Sequence, residues 1–267
     1  MKRDNLFKDR PDIRSILDLY KHDLIEIFSP TWNKSYFRLY QKFLIDLKPI
    51  VKQAKPSGKL LDVGCAQGNF TKLFVELGYK VTALDINSNY IEYTRSKLER
   101  NAEDVEFVSE SIFNFKSIIL YDVIFIGEVI EHVSDPLKLL GHLSTLLAPD
   151  GIIILTTPNQ EYCRNRLPDY HSVDFSNSIE FFPDGDGHFF LFKPSEIINL
   201  VESTGELVID SSQFYRSVFL TGDLKIRYLH EYLPKWLHFS IETLICRSLS
   251  RISFLFSQSL FVIRKVK

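Results

Sequence analysis

The chain of 267 residues lacks most of the features that assign a sequence quickly. Its three cysteines, Cys65, Cys163 and Cys246, show neither CxxC nor CxxxC spacing. That excludes a disulfide framework and a zinc knuckle, and it points to a reducing compartment. No apolar run is long enough to cross a bilayer, and the opening MKRDNLFKDRPDIR is too charged for a secretory leader, so a cytoplasmic protein is expected. Basic charge is not in excess: the formal net charge is −2 and the pI about 6.4, which argues against a nucleic-acid partner. No Gly-Lys-Ser/Thr step follows a glycine turn, which excludes a phosphate loop. Internal repeats and low-complexity tracts are absent too.

What is present is an ordinary globular composition, 45% apolar and 25% charged, with a regular rhythm over its middle. Residues 12–55 read as two helical stretches, one marked by Ile13, Ile16, Leu17 and Tyr20, the other by Phe37, Tyr40, Phe43, Leu44 and Leu47. From 60 onward short apolar runs alternate with helical patterns: strands at 60–63, 80–85, 105–108, 121–126 and 151–157, helices at 69–77, 88–101 and 136–147. Asp135-Pro136 reads as a helix N-cap with proline in the first turn, and Pro149-Asp150-Gly151 as a turn. After Pro158 an aromatic, irregular segment leads to a helix at 194–203 and a strand at 207–214. A long stretch, 217–257, then precedes a last strand at 259–266. Alternating strands and helices predict a mostly parallel sheet covered on both sides.

The stretch LLDVGCAQGNF, residues 60–70, joins the first strand to its helix through Gly64 and Gly68. Glycine there lets backbone approach a ligand closely. The dinucleotide pattern G-x-G-x-x-G does not fit: the glycines are spaced otherwise, its third glycine would fall at Asn69, and Asp62 is foreign to it. The reading Asp62-Val63-Gly64-Cys65-Ala66-Gln67-Gly68, with Asp85 in VTALDIN, YDVIFIGEVIEHVSDP and LLAPDGIIILTTPN following in order, resembles class I S-adenosylmethionine-dependent methyltransferases over about 58–210. Alanine replaces the middle glycine of the family's first motif.

The resemblance implies an α/β fold: a doubly wound, seven-stranded, mostly parallel Rossmann-like sheet. An N-terminal helical cap (1–55) precedes the cofactor-binding core (56–215). A helical insertion (216–258) comes before the last strand of the core (259–267). It implies S-adenosyl-L-methionine held by Asp62, Gly64, Cys65, Ala66, Gly68 and Gly127, with the Asp85 carboxylate, beside Ile86, on the ribose hydroxyls. Where the family places an adenine-contacting Asp, this chain has Glu110-Ser111, leaving Ser111 and Ile112 for that contact. The leading helix covers the cofactor in this fold, which would put Arg38 on the methionine carboxylate.

Ligands of open α/β sheets sit beyond the strands' carboxyl ends, so the loop after the fourth strand is where chemistry is expected. Glu128, Glu131 and His132 stand there at i, i+3 and i+4, and a single helical turn would bring all three to one side. They suit three roles: His132 as general base, a Mg²⁺ or Mn²⁺ site made by Glu128, Glu131 and His132, or a hydrogen-bonded wall of the acceptor pocket. The E-x-x-E-H pattern is similar to that of ubiquinone-biosynthesis O-methyltransferases, which implies Mg²⁺ dependence and catechol-type acceptors. His188, in GDGHFFLFKPSEI, is a second catalytic candidate, since related enzymes place a histidine over the cofactor there. Tyr162, Tyr170, His171 and Asp174 are candidates to line the acceptor site.

The reading is O-methylation of a small-molecule or sugar hydroxyl, a cell-envelope glycan or quinone precursor among them. The alternatives are N-, C- or macromolecule-directed methyl transfer, a non-catalytic nucleoside-binding protein, or an NAD enzyme. In 224–256, Leu237, Ile241, Leu244, Ile245, Leu249, Ile252 and Phe256 form an apolar helical stripe beside Lys225, Arg227, Lys235, Arg247 and Arg251. It is expected to pack on the sheet edge or form a homodimer contact. The other option is a peripheral contact with the inner face of the membrane that presents a lipid-linked acceptor.

Overall fold

The computed structural model describes residues 19–20, 23, 34–54, 57–98, 103–173, 188, 190–218, 221 and 232–266. Helix α1, Lys34–Ala54, is the second of the two helical stretches expected near the N-terminus; the first lies largely outside the described residues.

The alternation then follows as the pattern demands. β1 is Lys59–Val63, α2 Asn69–Glu76, β2 Lys80–Asp85, α3 Ser88–Lys97, β3 Val105–Ser109 and β4 Tyr121–Gly127. α4, Pro136–Leu146, leads into β5, Leu147–Pro158, and α5, Pro194–Ser203, into β6, Leu207–Ser217. α6, Lys235–Ser248, precedes β7, Phe256–Lys265. The helix starts carry their own instructions. Asp135 accepts from the Lys138 N–H at 2.9 Å with Pro136 in the first turn, and Asn87 accepts from the Asn89 N–H at 2.9 Å.

The seven strands form one sheet in the order β3-β2-β1-β4-β5-β7-β6. β7 alone runs against the others, antiparallel to both β5 and β6. Side chains of successive strand residues fall on opposite faces. Leu61, Ile124, Ile126, Ile153 and Leu155 pack with Leu139, Leu140 and Leu143 of α4 and Ile197 and Val201 of α5. Leu60, Val123, Phe125, Ile152 and Ile154 pack with Phe43, Leu47 and Val51 of α1 and Leu73 and Phe74 of α2. The chain winds outward both ways from β1 and β4, so a crevice opens beyond their carboxyl ends.

Two local expectations are revised. The turn at 149–151 is absorbed as an irregularity within β5, where pairing jumps from Tyr121–Leu147 to Val123–Ile152. Gly151 is required there, since a Cβ would stand 2.9 Å from the Tyr121 carbonyl oxygen. In α6 the buried residues are His238 and Glu242 rather than the apolar stripe, and Leu244 is 65% exposed. The reason is polar: Glu242 accepts from the Ser217 N–H at 2.9 Å and its hydroxyl at 2.8 Å, satisfying donors left over at the end of β6. Residues 224–231 of the stretch lie outside the described residues. Among the described residues no helix is long and apolar enough to cross a membrane.

Candidate active site

The turn after β1 is built from left-handed backbone. Gly64, Ala66 and Gly68 have φ of 69°, 44° and 68°, a conformation that costs an alanine about 1 kcal/mol. The Gly64 and Cys65 N–H groups donate to the Leu84 carbonyl at 2.8 and 3.1 Å, pinning the turn to β2. A Cβ on Gly64 would lie 2.5 Å from Val129 Cγ2, and one on Gly68 would overlap the Thr94 side chain. The two glycines therefore answer both to φ and to close approach.

Acidic groups line the turn. Asp62, 1% exposed, accepts from the Thr71 hydroxyl at 2.6 Å. Burial pushes its carboxyl up to about 7 against that bond. Asp85 accepts from the Ala66 N–H at 2.9 Å and the Asn87 N–H at 2.8 Å, tying the tip of β2 to the turn. Burial raises its carboxyl as well. A carboxylate offers about four acceptor positions, so both oxygens keep capacity for ribose hydroxyls. Ile86 beside it is exposed, Ser111 is half-buried, and Cys65 and Ile112 are packed into the core. Burial holds the Cys65 thiol well above its usual range.

Sequence reasoning missed what supports the turn from behind. The Lys97 ammonium donates to the Gln67 carbonyl at 2.9 Å and to Asn69 and Asp23 at 2.6 Å each. Thr94 donates to the Ala66 carbonyl at 2.8 Å. Both residues lie on α3, and nothing in their local sequence marks them out. Arg38 lies on α1, its side chain outside the described residues.

The loop after β4 divides its acidic groups instead of collecting them. Glu128 adopts a φ of 56° and donates its N–H to the Thr156 carbonyl at 2.9 Å. Its carboxylate accepts from the Thr156 hydroxyl at 3.1 Å and the Gln258 amide at 3.0 Å. The helical turn begins only after it, as a 3₁₀ turn at Ile130–His132. The expected grouping of Glu128 with Glu131 and His132 is therefore replaced: the potential ligand atoms of Glu131, His132 and His188 lie within 4.8 Å of one another. Glu131 is wholly buried; one oxygen accepts from the Thr157 hydroxyl at 3.1 Å. The other is buried without a hydrogen-bond partner among the described residues, 3.6 Å from His188 Nε2. The His132 and His188 rings stand 4.8 Å apart. Burial first, then the nearby Glu128 charge, pushes the Glu131 carboxyl well up. Gly127, opposite Thr156, has no room for a Cβ, which would come within 2.7 Å of the Phe125 ring.

Of the aromatic segment, Tyr170 packs on Phe190 and Phe192 at 5.3 and 5.0 Å. His171 Nδ1 is 2.5 Å from Glu196 Oε1. Tyr162 is buried, its hydroxyl 3.1 Å from that of Thr221. Asp174 lies outside the described residues.

Residues 32–209 match the family model described as a methyltransferase domain. A ubiquinone biosynthesis O-methyltransferase of Actinobacillus pleuropneumoniae serotype 5b (strain L20) is 29% identical over 197 residues, 68% of this chain and 82% of the relative. One from Coxiella burnetii (strain RSA 331 / Henzerling II) is 26% identical over 193 residues, 69% and 81%. Among solved structures, a 1,6-didemethyltoxoflavin-N1-methyltransferase of Burkholderia thailandensis, with S-adenosylhomocysteine bound, superposes with a TM-score of 0.57 at 15% identity. That match covers 96% of this chain and 85% of that one. A putative sarcosine dimethylglycine methyltransferase from Galdieria sulphuraria gives 0.59 at 15% identity, covering 95% and 98%; at these identities the likeness shows the fold. With the strand order, the glycine turn and the matched span in agreement, the chain belongs to the class I S-adenosylmethionine-dependent methyltransferases.

Proposed function

We propose that the chain transfers the methyl group of S-adenosylmethionine to a hydroxyl of a small-molecule or sugar acceptor, with Glu131, His132 and His188 as the reacting constellation. One observation carries the reading. Val129, in the loop that bears Glu131 and His132, lies against Gly64 of the cofactor turn. Two imidazoles and a buried carboxylate oxygen without a hydrogen-bond partner among the described residues thus stand next to the place where the sulfonium methyl would be presented. The name of the ubiquinone-biosynthesis relatives supports O-methylation.

Methyl transfer needs alignment of the nucleophile, exclusion of water and removal of the hydroxyl proton. Thr157 fixes one Glu131 oxygen and leaves the other aimed at His188. Glu131 thereby orients His188, and His132 stands ready beside it to take the proton. Glu128, held by Thr156 and Gln258, braces the loop from the strand side.

The same donors fit a divalent cation. The orphaned Glu131 oxygen lacks the partner a buried acceptor requires. One carboxylate with two imidazoles suits Mn²⁺ better than Mg²⁺, which prefers an oxygen shell. When bound, such an ion supplies a Lewis acid for the acceptor hydroxyl.

Titration with S-adenosylhomocysteine and with NAD tests cofactor choice: only the first should bind. Product formation from labelled cofactor, before and after chelation and Mn²⁺ restoration, tests the cation. Chelator-insensitive turnover assigns proton removal to the imidazoles alone, and a product methylated on nitrogen overturns the O-methyl reading. On α6, Trp236 and Leu244 are exposed beside exposed Lys235 and Arg247. This supports a peripheral or homodimeric contact, which vesicle sedimentation and size-exclusion chromatography distinguish.

A further inference from the structure

Among the described residues only three other than glycine have positive φ, namely Ala66, Glu128 and Arg216. The first two shape the cofactor turn and the loop after β4. Arg216, φ 57°, near the end of β6, belongs to neither. It lies at the same edge of the sheet, because Tyr215 before it pairs with Gln258, which in turn pairs with Pro158 at the carboxyl end of β5. Backbone strain of this kind persists where the surrounding structure holds a residue for a purpose.

The Arg216 side chain is half-buried, makes no ion pair or side-chain hydrogen bond among the described residues, and its Nε is buried without an acceptor. A guanidinium in that condition is unusual, since buried donors are paired in nearly all folded proteins. Its surroundings face the active chamber. Burial, then Asp23 and Asp62, raises the Tyr40 phenol, and the Arg216 charge opposes them. Burial and then Glu128 raise the Tyr215 phenol, and Arg216 again opposes. Tyr215 stacks on Phe43 of α1 at 4.7 Å, and Gln258 opposite it holds Glu128. Arg216 thus follows directly on the strand residue whose neighbour, Gln258, holds Glu128 at the carboxyl ends of the strands.

We infer that Arg216 receives a carboxylate of the methyl acceptor, so that the acceptor is a hydroxylated organic acid. The inference rests on the methyltransferase reading above. Acceptor rather than cofactor is indicated by topology: the cofactor turn and its ribose carboxylate are on β1 and β2, whereas β4, β5 and β7 separate β1 from β6. A carboxylate rather than a phosphate is indicated by charge. With Glu128 and two further acidic groups near a single cation, a dianion would add more unbalanced negative charge than a monoanion does. The planar fork of arginine matches a carboxylate in two bonds.

The test uses the full chain and its Arg216→Gln and Arg216→Lys variants. Each is incubated with methyl-labelled cofactor and a small-molecule cell extract, and products are separated by anion exchange at pH 7. Wild type should yield labelled products retained as anions. Arg216→Gln should lower their formation roughly tenfold or more at limiting acceptor, and Arg216→Lys should restore part of it. Titration with S-adenosylhomocysteine should agree within about twofold across the three proteins, establishing that fold and cofactor site are intact. Neutral labelled products, or anionic products made by Arg216→Gln at the wild-type rate, overturn the inference. So does loss of S-adenosylhomocysteine affinity in Arg216→Gln, which would give the guanidinium to the cofactor's own carboxylate. If wild type binds S-adenosylhomocysteine yet labels nothing, the methyl-transfer reading falls and this inference falls with it.

Discussion

His188 Nε2 stands 3.6 Å from Glu131 Oε1, an oxygen with no hydrogen-bond partner among the described residues. The two residues come from different connections, one after β4 and the other before α5, and the sheet brings them to the same edge.

That pairing predicts a specific kinetic signature. His188→Ala and Glu131→Gln should each lower kcat by roughly 100-fold while S-adenosylhomocysteine affinity is kept. Steady-state kinetics beside calorimetric titration will show it. Equal loss of both would assign the pair to cofactor binding.

Gly64→Ala and Gly68→Ala each force a Cβ into left-handed backbone against Val129 or Thr94. Each should destabilise the fold by about 1–3 kcal/mol and weaken S-adenosylhomocysteine at least tenfold. Urea melts and titration check both, and Gly78→Ala, with open space around its Cβ position, serves as the control for φ alone.

Lys97→Ala removes the cation that joins Asp23, Asn69 and the Gln67 carbonyl. Leaving Asp23 without its cation should cost about 2–3 kcal/mol. The loosened turn should weaken cofactor binding several-fold, and thermal melts with and without S-adenosylhomocysteine will separate the two effects.

The buried Asp62 carboxyl, lifted to about 7 from its ordinary 3.8, gives a pH dependence of definite sign. Between those values the native state binds more protons than the unfolded chain, so the contribution is full below about pH 4 and is lost as pH rises through about 7. Asp62→Asn keeps an acceptor for the Thr71 hydroxyl and has no proton to lose. Its stability at pH 8 relative to pH 5 should exceed that of wild type by at least about 1 kcal/mol, measured by urea denaturation at both pH values.

The glycine turn was legible because its information is local. Gly64 and Gly68 are needed for their own backbone angles, and Asp85 lies at the end of a six-residue strand that an apolar pattern announces. The Asp135-Pro136 helix start was legible for the same reason. The grouping of the chemical residues was not. A continuous helical turn through 128–132 is the natural reading of E-x-x-E-H. Yet the Thr156 carbonyl captures the Glu128 N–H and turns that residue left-handed before the turn begins. Helix α6 misled in a similar way, since its apolar stripe is the larger periodic signal while Ser217 draws Glu242 inward.

The sequence by itself determined the order of strands and helices, the glycine turn and the acidic tip of β2, because periodicity, caps and φ preference act over a few neighbouring residues. Only the tertiary structure decided which distant side chains meet: Glu131 and His132 with His188, Lys97 with Asp23 behind the turn, Gln258 with Glu128. Those meetings depend on which strands lie side by side and on which buried polar groups still lack a partner, and both are properties of the packed sheet as a whole.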